Sequence, residues 1–306
     1  MLQRLPSIHE CFISHECLCR DRLYPLWSYD RIPIYRESAE KEHFLGVFGM
    51  SISIAIVGKD GIVLATDDRT TFVGGDIKKR RDGAGKMWTF KDRFGLMSVN
   101  MNQGSSDYIV KSLTDMLEHP EKYYVPSSYL TRIKELSNID EFIEICSSHF
   151  NGLCKPYSFS KEQLDLGNNL SFGFTVTGYN DKGCKQIAYL HSAQSFFPML
   201  KYDYCIGGTT FIGEHYMQKL WPYLFKFEDD VCIPLQNKDL LKKLATLIII
   251  ETSKNSEAVS DNVKMRVITN DGIETPNKDK IDQLKSECNE IAGEDKLMEL
   301  LKQNKI

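Results

Sequence analysis

The residues best suited to chemistry lie near one end of a predicted β-hairpin. Ser51 directly follows Met50, a methionine placed like an initiator, and the returning strand ends in two adjacent carboxylates, Asp67 and Asp68. A serine hydroxyl is a poor nucleophile unless a base lies beside it. A free α-amino group is such a base, because its pKa of roughly 8 suits proton transfer near neutral pH. Removal of Met50 after an internal start would therefore give Ser51 both nucleophile and base.

Two registers of this hairpin place Ser51 close to the carboxylates. If Asp60-Gly61 form the turn, Ser51 falls opposite Thr70; if Lys59-Asp60 form it, Ser51 falls opposite Asp68. Either register assembles a hydroxyl and a carboxylate by local geometry alone, and the choice between them decides which carboxylate faces Ser51. A lysine is also needed to lower the proton affinity of the hydroxyl. Lys86, at the start of the next predicted strand, is the candidate.

Other catalytic arrangements have weaker support in the sequence. The chain has no Gly-x-Ser-x-Gly motif, and its seven histidines lack the context of a serine triad. His149 falls on the apolar stripe of a predicted helix and is interpreted as a packed residue. Metal-binding residue types cluster near the N-terminus, but their spacing matches no paired Cys-x-x-Cys pattern: His9, Cys11, His15, Cys17 and Cys19. We predict neither a metal nor an organic cofactor.

The predicted elements that must position these residues favour an α+β fold. They run as strands, two helices, strands, two helices and a final strand, with strands that are apolar on both faces. This order predicts a four-layer αββα sandwich, in which two stacked antiparallel sheets lie between helix layers. The second hairpin and the later elements are expected at 85–90, 94–100, 103–119, 139–150, 170–179, 184–190, 201–208, 209–221, 237–254 and 263–272.

Composition narrows the class of protein. The formal net charge of −4 carries no basic footprint, so we expect no nucleic-acid partner. Nine scattered cysteines indicate reduced thiols in a cytoplasmic protein. The longest apolar run, "LATLIII", is too short for a membrane span. We predict a leader or upstream segment at 1–50, a catalytic domain at 51–275 and a charged helical tail at 276–306.

The catalytic domain resembles proteasome β-type subunits and their bacterial relative, the peptidase of a two-component ATP-dependent protease. The resemblance covers roughly residues 51–275 and rests on the order and spacing of several segments: "DGIVLATDDR", "FGLMSVNMNQGSSD", "TVTGYNDKG", "YCIGGTTF" and "SDNVKMRVITNDGIE". It implies the N-terminal nucleophile hydrolase fold and a homo-oligomeric ring whose sites face an inner chamber. An ATP-dependent unfoldase partner would fit such a ring.

The resemblance also implies roles for individual residues. Ser51 matches the N-terminal threonine nucleophile of the family, Asp67 the acidic residue that holds the lysine, and Lys86 that lysine. Ser260 matches a serine near the nucleophile's amine, and Glu257 stands where the family has aspartate. The remaining implied positions are the backbone of Asn100 in the oxyanion hole and Thr71 in substrate binding.

Three departures from the family pattern bear on activity. Gly208 replaces a serine that supports the amine, serine replaces threonine at position 51, and Met50 stands where self-processing members have glycine. The sequence therefore predicts an N-terminal nucleophile endopeptidase of the threonine/serine type that degrades proteins. Two alternatives stay open: a catalytically inactive subunit of the same fold, and an amidohydrolase of the same class acting on small amides.

Overall fold

The structure of the protein is a computed structural model. It describes residues 51–74, 77–83, 85–99, 103–123, 127–154, 172–208, 210–229 and 231–290, together with residues 299 and 302. The predicted leader, with its cluster of histidines and cysteines, lies outside these ranges. Among the described residues, none of the helices is long and apolar enough to cross a lipid bilayer.

The described residues form strands β1 to β14 and helices α1 to α6, numbered here in chain order. The strands are Ile52–Val57, Ile62–Asp67, Thr70–Gly74, Ile77–Arg81, Met87–Phe90, Phe94–Val99, Gly173–Tyr179, Lys185–His191, Pro198–Lys201, Tyr204–Gly208, Phe225–Glu228, Val231–Pro234, Val263–Thr269 and Gly272–Glu274. The helices are Gln103–Glu118, Ser127–Lys134, Ile139–Cys154, Phe211–Leu224, Lys238–Asn255 and Lys278–Glu290.

The strands of the described part build two five-stranded antiparallel sheets and two separate hairpins. The first sheet has the order β10-β1-β2-β13-β14 and the second the order β5-β6-β7-β8-β9. The hairpins are β3–β4 and β11–β12. In the first sheet β1 and β2 are neighbours, while β10 and β13 flank them from distant parts of the chain. The sheet therefore brings residues near 52, 67, 208 and 263 together at one end of these four strands.

Helices cover the outer face of each sheet. The core on one side joins the first sheet to α4, α5 and α6, and it also includes Met97 and Ile187 of the second sheet. The core on the other side joins the second sheet to α1 and α3. Side chains of β1 and β2 are buried on both faces because this sheet lies between helices and the other sheet. The predicted αββα sandwich is confirmed.

The first hairpin adopts the second of the two predicted registers. Ser53 pairs with Thr66 and Val57 with Ile62. The N–H of Gly58 donates to the carbonyl of Gly61 at 2.8 Å, so Lys59 and Asp60 are the central residues of the turn. Continued by two residues, this register carries Ser51 to the level of Asp68.

Several elements were not predicted from the sequence: hairpins β3–β4 and β11–β12 and strands β9 and β14. The first half of the predicted tail forms α6, which packs on α5 through buried Ile281 and Cys288. The Cys288 thiol lies 3.3 Å from the carbonyl of Lys243, and Lys243 Nζ lies 2.7 Å from Glu287. This part of the tail is therefore anchored to the fold.

Candidate active site

A cluster of polar side chains is buried at the open end of the β1–β2 hairpin. Ser51, Asp67, Asp68, Lys86 and Ser260 are each between 0% and 6% exposed. Burying a charge is costly unless it is paired and hydrogen-bonded, so such a cluster is stable only when its partners are built in. The contacts within it supply those partners.

The Asp67 carboxylate is the centre of the cluster and accepts hydrogen bonds on both oxygens. Oδ1 accepts from Lys86 Nζ at 2.8 Å and from the N–H of Ile52 at 3.0 Å. Oδ2 accepts from the N–H of Arg69 at 3.0 Å and from that of Ser260 at 3.3 Å. These donors fix the carboxylate in one orientation. They also tie the residue after Ser51 to the lysine and to the Ser260 loop.

The sheets deliver the lysine and the serine to this point. Lys86 directly precedes β5, and its carbonyl accepts the N–H of Ser98 in β6 at 3.0 Å, which holds its backbone against the second sheet. Ser260 precedes β13, where Val263 pairs with Asp67 of β2. Both side chains therefore come from elements fixed by ladder hydrogen bonds, so their approach to Asp67 follows from the topology.

Lys86 has an unusual electrostatic setting. Burial lowers the pKa of Lys86, and the charges of Asp67 and Asp68 oppose that shift. The ammonium group therefore holds its proton less tightly than a lysine in water, yet it lies in a direct ion pair. Such a group can lower the proton affinity of a neighbouring hydroxyl.

Arg69 lies on the solvent side of the cluster and links its segments by hydrogen bonds. Its Nε donates to Asp82 Oδ1 at 2.7 Å and its Nη2 to Asp82 Oδ2 at 3.2 Å. Its Nη1 donates to the carbonyls of Glu257 at 3.0 Å and Val259 at 3.4 Å. The hydrogen bond with Asp82 raises the pKa of Arg69 and lowers the pKa of Asp82. The guanidinium thus joins the end of β2 to the loop that carries Ser260.

Asp68 is a member of the cluster to which the sequence analysis gave no role. Ser260 Oγ donates to Asp68 Oδ1 at 2.8 Å and accepts from the N–H of Asp68 at 3.4 Å. The two residues are separated by 192 positions in the chain. The only local signal was the Asp-Asp pair itself, since one carboxylate alone suffices to hold a lysine.

Gly208 approaches Ser51 too closely for any side chain. It pairs with Ile52 across β10 and β1, and its φ of +86° is a conformation that L-residues rarely adopt. A Cβ placed on Gly208 would lie 2.0 Å from the carbonyl oxygen of Ser51. The backbone therefore requires glycine where the resemblance led us to expect serine.

Three further site residues were predicted: Glu257, Thr71 and Asn100. Glu257 is exposed, and its main-chain carbonyl accepts a hydrogen bond from Arg69. Thr71 lies in β3, paired with Arg80 of β4. Asn100 is outside the described residues.

His149 lies apart from the cluster, as expected for a packed helix residue. His149 is half-buried on α3, where burial lowers its pKa to about 4, and its Nε2 lies 3.1 Å from Ser112 Oγ. Within the described ranges, no group of three or more His, Cys, Asp or Glu residues is arranged to hold a metal ion.

The layer order and strand topology are those of a four-layer αββα sandwich. Solved structures similar to this chain are Anbu (ancestral beta-subunit) proteins. The protein from Yersinia bercovieri matches with a TM-score of 0.54 and 12% identity, over 78% of this chain and 94% of that one. The Gly-1 mutant from Hyphomicrobium sp. strain MC1 matches with a TM-score of 0.52 and 13% identity, over 78% and 94%. The structure titled helical assembly of the Anbu complex, from Pseudomonas aeruginosa, matches with a TM-score of 0.54 and 16% identity, over 78% and 92%.

These comparisons correct the family assignment made from the sequence. No family model and no curated protein matches the chain. The similar structures are Anbu proteins at 12–16% identity, a level that establishes a shared fold only. The assignment to the proteasome β-type subunits and the bacterial proteasome-like peptidases is therefore wrong. The short motifs identified the fold because they mark its hairpin and strand ends, and they do not distinguish among the proteins that share it.

Proposed function

We propose that the protein is an N-terminal nucleophile hydrolase that cleaves peptide bonds, with Ser51 as its nucleophile. The observation that carries the proposal is the buried Asp67–Lys86 ion pair, 2.8 Å long, whose carboxylate also binds the N–H of the residue after Ser51. An ion pair buried this deeply contributes little net stability, because the desolvation of both charges offsets their attraction. Its link to the residue after Ser51 favours a chemical role over a purely structural one.

The proposed reaction has two steps. Ser51 Oγ attacks the carbonyl carbon of a peptide bond while the α-amino group of Ser51 accepts the hydroxyl proton. That proton passes to the leaving amine as the C–N bond breaks, which leaves an ester on Ser51. Water then attacks the ester, and the Ser51 oxygen recovers a proton as the acid product departs. Lys86 stabilises the oxygen of Ser51 while it carries negative charge, and Asp67 orients Lys86.

The remaining predicted residues complete the proposed site. Ser260 lies in hydrogen-bond contact with both carboxylates and is proposed to support the amine. The backbone N–H of Asn100 is proposed to bind the oxyanion, a role that does not depend on the side chain. Thr71, on the strand that follows the carboxylates, is proposed to bind the substrate backbone. Glu257 is exposed and lies in the loop before Ser260, and it is proposed to support the reaction from there.

We also propose that the chain assembles with copies of itself, so that the sites face an enclosed space. One similar structure is titled as the helical assembly of its complex, which supports self-association in proteins of this fold. A closed ring and an open helix are separate outcomes, and electron microscopy of the purified protein distinguishes them. A cytoplasmic location and an unfoldase partner fit the same proposal. The free thiols of the described chain, including Cys146 and Cys205, are compatible with a reducing compartment.

The decisive experiment begins with expression from the native gene. Intact mass and N-terminal sequencing establish whether the mature chain starts at Ser51, and hydrolysis of an unfolded protein and of short peptides is then measured. We expect a chain that starts at Ser51 and loses hydrolysis in Ser51→Ala. Ser147→Ala is the matched control, because Ser147 Oγ donates to the carbonyl of Phe196 in another part of the fold.

Other results would favour the alternatives. A chain that retains Met1 and shows no turnover would favour a structural subunit, for which Gly208 in place of an amine-supporting serine is the supporting observation. Hydrolysis of small amides without hydrolysis of peptides would favour an amidohydrolase of the same class. The fold alone does not decide between these substrates.

A further inference from the structure

Asp68 is a second carboxylate in the candidate site, and the proposed reaction does not yet use it. It is 4% exposed and follows Asp67 directly. Its Oδ1 accepts the Ser260 hydroxyl at 2.8 Å. A buried carboxylate without a task would be costly to keep, because isolated charge is strongly disfavoured away from water.

The two carboxylates together hold Ser260 by its main chain and its side chain. Asp67 Oδ2 accepts the N–H of Ser260, and Asp68 Oδ1 accepts its O–H. A serine hydroxyl has one proton and two lone pairs. With the proton committed to Asp68 and the N–H of Asp68 only weakly engaged at 3.4 Å, the oxygen keeps acceptor capacity for another donor. Asp67 binds both the N–H of Ser260 and the N–H of Ile52, the residue after Ser51, so under the proposed function the donor for this acceptor is the α-amino group of Ser51.

The charge of Asp68 also acts on its neighbours. The charged groups facing this end of the hairpin are Asp67, Lys86 and Arg69, with Asp82 on the far side of Arg69. The negative charge of Asp68 favours the protonated form of Lys86 and acts against the effect of burial. An ammonium on Ser51 would be favoured in the same way.

We propose that Asp68 is a positioning residue of the candidate active site. It holds Ser260 Oγ as an acceptor for the Ser51 amine, and it adds a second negative charge to the buried cluster that contains Lys86. This inference rests on the proposed function for its meaning, but its electrostatic content can be measured without turnover. A neutral carboxyl group that only anchored the Ser260 loop would affect stability and leave the titrations of Lys86 and of the Ser51 amine unchanged.

The test compares Asp68→Asn with wild type in the full chain. Lysine labelled with 13C at Cε is titrated by NMR, and the Lys86 signal is assigned by its absence in Lys86→Arg. We expect the Lys86 midpoint to fall by about 0.5–1 pH unit, since a negative charge that favours the protonated lysine is removed. Asp92→Asn is the matched control: it makes the same change of charge at an exposed turn residue with φ of +51°, which asparagine tolerates, and it should leave the midpoint in place.

The pH dependence of hydrolysis tests the part of the inference that concerns Ser260 and the amine. In Asp68→Asn the acid limb of kcat/KM should move to lower pH by about 0.5–1 unit, because the amine loses its proton more easily. In Ser260→Ala the charge is kept, so the Lys86 midpoint should stay within about 0.2 units of wild type while kcat falls by about tenfold.

The outcomes separate this inference from the proposed function. If the wild-type chain hydrolyses nothing, the proposed function fails, and the Lys86 titration still decides the role of Asp68. An unchanged Lys86 midpoint in folded Asp68→Asn would overturn the inference and leave a structural hydrogen bond. Should Asp68→Asn not fold, Asp68→Ser provides the same loss of charge with a smaller side chain, and the same midpoint decides.

Discussion

The two ends of the β1–β2 hairpin are built from the same two strands but treat polar groups in opposite ways. At the turn, Lys59 and Asp60 are exposed, and Asp60 Oδ1 accepts the N–H of Lys238 at 2.7 Å at the start of α5. At the open end, Asp67 also accepts a main-chain N–H, from Ile52, but it is fully buried and binds a buried lysine. Each end therefore has a lysine and at least one aspartate, exposed at the turn and buried at the open end.

This difference distinguishes an ordinary exposed turn from a candidate active site. An exposed aspartate near a helix start is stabilising at little cost, because water screens its charge. A buried aspartate must be matched by several donors, and the open end supplies them from β1, the segment after β2, the residue before β5 and the loop before β13. The fold thus brings four separate segments to one carboxylate. That convergence is the physical reason to look for function at the open end.

Among the substitutions that test this comparison, replacement of Lys86 should have the largest effect on stability. Lys86→Met leaves the Asp67 carboxylate buried without its cation, and breaking a buried pair in this way costs about 3–5 kcal/mol of unfolding free energy. Urea denaturation near pH 7 measures the loss. Peptide hydrolysis should fall to the level of Ser51→Ala under the proposed function.

Two further variants test the reason for that loss. Lys59→Met makes the same substitution at the exposed turn and should change stability by no more than about 0.5 kcal/mol. Asp67→Asn combined with Lys86→Met should recover part of the stability, because the unpaired charge is gone. Equal losses from Lys59→Met and Lys86→Met would contradict the contrast between the two ends.

Gly208 should give the next largest effect. Gly208→Ala adds the cost of a positive φ to a collision with the Ser51 carbonyl oxygen, so we expect a loss of about 2–4 kcal/mol and displacement of Ser51.

Gly183→Ala is the matched control: Gly183 has φ of +73°, but nothing lies within 4 Å of the position that an added methyl group would occupy. It should lose only about 1 kcal/mol, from backbone strain. Thermal unfolding of both variants measures the difference, and equal losses would show that the close approach to Ser51 is not constraining.

A buried hydroxyl beside the site provides a smaller test. Thr66 Oγ1 donates to the carbonyl of Ile52 at 2.7 Å and so links β2 to the residue after Ser51. Thr66→Val should cost about 1 kcal/mol, the net value of one buried hydrogen bond. Thr246→Val on α5 is the control, because within the described part of the chain Thr246 Oγ1 is buried without a hydrogen-bond partner. That substitution should be neutral or stabilising, and a larger loss from it than from Thr66→Val in denaturant titrations would refute the assigned hydrogen bond.

The sequence predicted what local pattern and turn chemistry determine. The alternation in β1 and the "KDG" turn restricted the hairpin to two registers, both of which brought Ser51 near Asp67 and Asp68. Only the long-range pairing of β1 with β10 and of β2 with β13 could choose the surroundings of each carboxylate. The contact of Ser260 with Asp68 spans 192 positions, so no local signal could have predicted it.

The missed elements share weak strand signals. Strand β4 is "IKKRR", whose charged residues lack the apolar alternation that marks a half-buried strand, and it pairs only with β3. Strand β11 is "FKFE", only four residues long. Helix α2, Ser127–Lys134, lies between the two helices expected at 103–119 and 139–150 and was not given bounds from the sequence. None of these elements is a strand of the two five-stranded sheets, so missing them did not disturb the prediction of the sandwich.

The smallest expected effect lies at the rim of the site, where Asp82 pairs with Arg69 while 46% exposed. Because this pair lowers the pKa of Asp82 in the folded state, its stabilisation is present above the ordinary aspartate range and is lost as pH falls through the lowered value. Asp82→Asn should therefore cost no more than about 0.5 kcal/mol near pH 6, and the difference from wild type should vanish at low pH and shrink in high salt. Denaturant titrations between pH 2 and pH 6 check this. We do not expect a loss of unfolding free energy as large as that of Lys86→Met, because Asp82 is exposed and Asp67 is buried. An equal loss would contradict the contrast between the exposed and the buried carboxylate.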